Sequence, residues 1–147
     1  MAIDRGSGTE IIRTAMFEDV AGAGTKNLII GEQHHIYTVL SIVMYTVNAA
    51  GYIDLMVNGY DSNGGTTAQD IIILSRALSA GETFVWNDKF SFNGFEPTNF
   101  TGPMDDATKQ NAIADQGSSV SQKLNIYVSD SSADLDIIVT YIDQNNA

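Results

Sequence analysis

Apolar and polar residues alternate with a period of two along most of this chain. In "YIDLMVN", Ile53, Leu55 and Val57 lie on one side, and Tyr52, Asp54, Met56 and Asn58 on the other. "DLDIIVTYI" places Leu135, Ile137, Val139 and Tyr141 on one face, against Asp134, Asp136 and Thr140, and "KLNIYV" does the same with Leu124, Ile126 and Val128. Such a period predicts half-buried β-strands. "IYTVLSIVMYTV" is apolar on both faces, with Ile36, Leu40, Ile42 and Met44 on one and Tyr37, Val39, Val43, Tyr45 and Val47 on the other. A strand of that kind lies inside a sheet and is covered twice.

Further strands are expected at Thr9–Phe17, Lys26–Ile30, Asp70–Arg76, Glu82–Trp86 and Phe90–Phe92, separated by the turn signals "AGAG", "NAAG", "DSNGG", "SAGE", "WNDK" and "SDSSAD". About eight short strands with tight turns and no helical period predict an all-β fold, a single antiparallel β-sandwich or jelly roll. The expected core comprises Ile53, Leu55, Val57, Phe84, Leu124, Ile126, Leu135, Ile137 and Val139. Residues 1–20 form an extended N-terminal arm with the first strand, and 21–147 form the sandwich. Its one long irregular excursion, 93–121, carries both prolines and has room for a helical turn.

The aromatics Phe84, Trp86, Phe90, Phe92 and Phe95 crowd into "SAGETFVWNDKFSFNGFEP". The spacing predicts a hairpin, with Glu82–Trp86 leading through Asn87-Asp88 into a returning strand, Lys89–Phe92. Alternation turns Phe84 and Trp86 to one side and Phe90 and Phe92 to one side of theirs, as core or interface and not as a ligand platform.

Charge narrows the partners. Seven basic and eighteen acidic side chains leave a net charge of -11 with no basic cluster, which repels phosphate backbones and excludes nucleic acid as a partner. The absence of cysteine removes disulfides and thiolate chemistry. No apolar run reaches the ~20 residues of a membrane span, and "MAIDRGSGTEIIRT" lacks a signal-peptide core, so the Asn99-Phe100-Thr101 sequon is read as chance.

Catalytic patterns are equally sparse. "GSG" at Gly6–Gly8 is no nucleophile elbow, and His34 and His35, adjacent on a strand, point to opposite faces and cannot share one ion or one triad. "DSNGGTTAQD" lacks the carboxylates of a calcium loop and reads as a hairpin loop, while "SDSSADLD" and "PMDDAT" are solvated turns. The expectation is no enzyme, no catalytic residue, no cofactor, no metal site and no small-molecule substrate, which leaves a binding or assembly module.

Three stretches, "GSGTEIIRTAMFEDV", "SAGETFVWNDKFSFNG" and "ADLDIIVTYIDQ", resemble small β-sandwich virion structural proteins of tailed bacteriophages, T4-like cyanophages in particular. The likeness runs from Gly6 to Asn146 apart from the excursion after Phe92. It implies a capsid decoration or cement protein located in the virion after assembly in the host cytoplasm. Its partner would be the major capsid protein or another virion protein, and it would act as a homotrimer. The alternative is a neck, tail or fibre component binding receptors or carbohydrate through Tyr60, Trp86 or Phe95. The expected protein–protein interface is built from Ile11, Ile12, Met16 and Phe17 on the arm, Tyr37, Val39, Val43 and Tyr45 on the long apolar strand, and Trp86 and Phe95.

Overall fold

A computed structural model describes residues 9–97, 101–115 and 119–146. The first eight residues of the expected arm, Asn99 of the sequon and parts of the 93–121 excursion lie outside the described residues. The elements in chain order are β1 (Thr9–Ala21), β2 (Gly24–Ile30), β3 (His35–Asn48), β4 (Gly51–Asp61), β5 (Thr66–Leu78), β6 (Thr83–Trp86), β7 (Phe90–Asn93), β8 (Phe95–Pro97), α1 (Ala107–Asp115), β9 (Ser119–Ser121), β10 (Lys123–Val128) and β11 (Asp134–Asn145).

The strands form an antiparallel β-sandwich, as the alternation predicts. The front sheet runs β1-β11-β3, with β6 and β7 both on the far edge of β3; the back sheet runs β2-β10-β4-β5. β8 and β9 make a separate small ribbon at the base of the excursion. Helix α1 begins where Asp106 accepts the Lys109 backbone N–H (2.9 Å), an N-cap supplied by "DDATK".

Inward side chains of both sheets meet in one core. Ile42, Met44, Leu135, Ile137 and Val139 from the front are fully buried against Ile53, Leu55, Leu124, Ile126 and Val128 from the back. Each such side chain contributes roughly 1.5–3 kcal/mol by leaving water. Of the expected core, Val57 and Phe84 are half-buried and pack against it. The side between β5 and β6 is closed by Arg76, whose guanidinium lies 4.8 Å from the centroid of the Phe84 ring.

Two expectations are corrected. First, Thr140 pairs with Ser41 and Tyr141 with Val39, so Leu40 is an extra residue, a β-bulge. The bulge reverses the facing of one half of β3. Tyr37 and Val39 therefore point into the core with Ile42, Met44 and Thr46, and not outward with Val43 and Tyr45.

Second, β6 and β7 are not a hairpin. Trp86 to Thr83 pair with Ile42 to Tyr45, and Asn93 to Phe90 pair with Ile36 to Val39, so both run antiparallel to β3 and follow each other along the same edge. They are one strand broken at residues 87–89, opposite the Leu40 bulge. A tight two-residue hairpin needs positive φ in its turn, and neither Asn87 nor Asp88 adopts it. The expected facing holds: Phe84, Trp86, Phe90 and Phe92 all pack against the core.

One end of the sandwich is stitched by backbone contacts. Gly31 N–H donates to Gln122 O (2.8 Å), Gln122 N–H to Gly94 O (2.8 Å) and Gly94 N–H to His35 O (2.7 Å). A Cβ on Gly94 would overlap the Glu32 carbonyl oxygen, and one on Gly31 would overlap that of Gly94. The missing side chains let three segments cross and hold β8 beside β7.

Candidate functional site

The outer face of the front sheet carries an unusual distribution of side chains. Met16 pairs with Ile138, Ile138 with Val43, and Val43 with Val85, so one apolar row crosses four strands. Met16 is 76% exposed, Val85 51% and Ile138 40%. Two positions toward the stitched end, the next row is Thr14, Thr140 and Ser41. Beyond it comes Ile12, Ile142, Thr38 and Ser91, in which the Thr38 and Ser91 hydroxyls are hydrogen-bonded at 2.9 Å.

None of these side chains carries a charge. Acidic groups gather at the ends of the face, Glu10 at one and Asp19, Asp134 and Asp136 at the other, with exposed Tyr45 and Val47 beside the latter. In a chain of net charge -11 this is a large uncharged surface, and it is laid on rigid, paired strands.

The ten expected interface residues separate cleanly. Ile12, Met16, Val43 and Tyr45 lie on this outer face. Tyr37 (3% exposed) and Val39 (0%) are corrected: they are core residues of this chain and offer no surface. Phe17 and Trp86 are half-buried against the core, Ile11 sits opposite inward-facing Asp143, and Phe95 lies on the β8–β9 ribbon. Trp86, edge-on to Phe90 with centroids 6.2 Å apart, is no exposed stacking platform.

The reading of the sequence missed Ile138, Ile142 and Val85. The signal was present at Ile138 and Ile142, which interrupt an otherwise polar outward face of "DLDIIVTYI". What no local pattern supplies is that β1, β11, β3 and β6 lie side by side.

The two histidines sit in different settings. His35 Nδ1 donates to Asp143 Oδ1 (2.6 Å), Arg13 Nε donates to Asp143 Oδ2 (3.0 Å), and the His35 ring stacks on Tyr37 at 6.0 Å. His35 Nε2 faces Glu32 Oε2 at 3.5 Å, a carboxylate where a triad would place a hydroxyl. His34 sits at the turn before β3 with φ of 63°.

Three carboxylates do converge. Asp19, Asp134 and Asp136 each bring an oxygen within 4.8 Å of the others, because the bulge after Phe17 turns Asp19 toward β11. The approach has a backbone cause, since Asp136 Oδ1 accepts the Asp19 N–H (3.1 Å). The β4–β5 loop is the expected hairpin loop, with Asp61 Oδ1 accepting the Asn63 N–H (2.9 Å).

No family model matches this chain. No curated protein matches it either. Among solved structures it is similar to a chain from a study of Bacillus endospore appendages, described as a novel family of disulfide-linked pili. That match has a TM-score of 0.47 and 11% identity, and covers 100% of this chain and 97% of the other. The disulfide linkage has no counterpart in these cysteine-free 147 residues. It is also similar to a chain of infectious bursal disease virus Gx strain, with a TM-score of 0.40, 16% identity and coverage of 96% and 38%. A chain of the T13 particle of that virus gives 0.40 and 13%, with coverage of 99% and 37%. The chain thus spans well under half of the two viral chains. Likenesses at this level carry no argument about function.

Proposed function

We propose that this chain is a non-enzymatic structural protein of a virus particle, a decoration or cement protein that docks through the outer face of its front sheet. The observation that carries the reading is the charge-free face crossed by the row Met16, Ile138, Val43 and Val85. Association costs about 4–15 kcal/mol, and each large apolar side chain taken fully out of water returns roughly 1.5–3 kcal/mol. Met16 is 76% and Ile138 40% exposed, so each returns only part of that value, and a symmetric ring that repeats the face is what offsets the cost. The resemblance to tailed-phage virion proteins supplies the rest of the proposal: a homotrimer seated on the major capsid protein. No described helix is long and apolar enough to cross a membrane.

The test is the double substitution Val43→Lys with Val85→Lys. Both side chains lie on the outer face, so the fold survives. Sedimentation equilibrium is expected to show a trimer for the wild type and a monomer for the variant, and only the wild type is expected to co-sediment with tailed-phage capsids. A wild type that is monomeric and ignores capsids would overturn the proposal.

A further inference from the structure

A cavity of about 330 Å³ opens at the edge of the front sheet beside β7, lined by Ile36, Val57, Phe92, Ser91, Asn93, Glu96 and Gln122. Its walls are of two kinds. Ile36, Val57 and Phe92 offer aliphatic and aromatic surface, while Glu96 supplies a half-buried carboxylate and Ser91, Asn93 and Gln122 neutral polar groups. Glu96 has a Gln122 side-chain hydrogen bond and no ion pair with any described cation. Burial raises its pKa above the ordinary carboxylate value, with the Gln122 bond acting in the opposite direction. The position of Glu96 is enforced from two sides, by the pairing of β8 with β9 and by the backbone stitch through Gln122 and Gly94.

We propose that this cavity receives a lysine or arginine side chain of the assembly partner, with the stem against Ile36, Val57 and Phe92 and the cationic head on Glu96. Long basic side chains have this two-part character, an apolar stem and a charged tip. Charge selects them here: a carboxylate without a cation, in a molecule of net charge -11, attracts one from outside. Place also selects them. Ser91 belongs both to the cavity wall and to the charge-free outer face, so a chain docked on that face reaches the cavity around the β7 edge. The donor's identity rests on the docking reading, but the cavity's preference does not.

The experiment therefore uses small probes and no partner. Nα-acetyl-lysine methylamide and its arginine counterpart are titrated into the isotopically labelled protein, with the neutral norleucine analogue as control. Saturable amide shifts at Asn93, Glu96 and Gln122 are expected for the two basic probes and not for norleucine. Glu96→Gln is expected to weaken binding at least tenfold, and binding by the wild type should fade as pH drops through the Glu96 titration. Equal binding of norleucine, no saturable shift up to 50 mM probe, or undiminished binding by Glu96→Gln would each overturn the proposal. If Glu96→Gln fails to fold, the pH series on the wild type decides. Loss of trimerisation or capsid binding in the lysine double variant, with probe binding retained, would separate the two proposals.

Discussion

The Tyr37 ring lies between His35 and Phe92, with centroids at 6.0 and 5.3 Å, and its hydroxyl accepts the Glu32 backbone N–H at 3.0 Å. Burial pushes its pKa up to about 12, the hydrogen bond from Glu32 pulls it back in part, and the Asp143 and Glu32 carboxylates add to the rise. The folded state therefore holds the proton after an unfolded tyrosine, near pH 10, has lost it. Stability from this group is complete below about pH 10 and is lost as pH rises to about 12. Chemical denaturation between pH 9 and 12 is expected to show that decline, and Tyr37→Phe should flatten it. The substitution itself costs about 1 kcal/mol at neutral pH, because it leaves the Glu32 N–H unpaired. A decline of the same slope in both proteins would assign it to other groups, such as Tyr141, whose pKa is also raised by burial.

On a strand, the face a residue occupies matters more than its hydrophobicity. Val43 and Met44 are neighbours on β3, one on the outer face and the other fully buried. Val43→Lys is expected to cost about 1 kcal/mol, through lost cross-strand contact with Ile138 and Val85, and Met44→Lys to prevent folding by burying an unpaired charge. Circular dichroism melts of the two variants check this. Strand positions and the core between β4, β10 and β11 were legible because the inward alternation is local there, even though apolar Met56, which is buried, and Ile138 occupy the opposite side of their strands. Facing was legible only as far as a bulge. The extra Leu40 turned Tyr37 and Val39 inward, and nothing in "YTVLSIV" marks that residue as the one left unpaired. The break in β6–β7 was misread for a related reason: Asn87-Asp88 has turn composition, but the choice between reversing and continuing was made by the free edge of β3. The outer face was legible in pieces, at Ile12, Met16, Val43 and Tyr45. Its continuity depends on pairing between Met16, Ile138 and Val85, residues far apart in the chain.

The whole molecule combines a strongly acidic balance with one uncharged face. Copies repel each other through their net charge, and the proposed docking face carries none of it, so contact through that face should strengthen as salt screens the repulsion. Raising sodium chloride from 50 to 500 mM is expected to tighten self-association in sedimentation equilibrium; a weakened trimer would mean that charge pairs hold it. The cavity beside β7 would respond in the opposite direction, since screening removes its attraction for a basic side chain. The same architecture leaves one segment without a strand partner of its own. Asn87, Asp88 and Lys89 are exposed and sit between two halves of a strand that are each anchored separately to β3. Foreign sequence grafted there would be carried at the sheet edge without either half losing its partner. Lengthening such a connection fourfold costs only about 1.2 kcal/mol of closure entropy. An epitope of about nine residues placed between Asn87 and Asp88 is therefore expected to be recognised by its antibody on the folded protein, making this interruption a point of display.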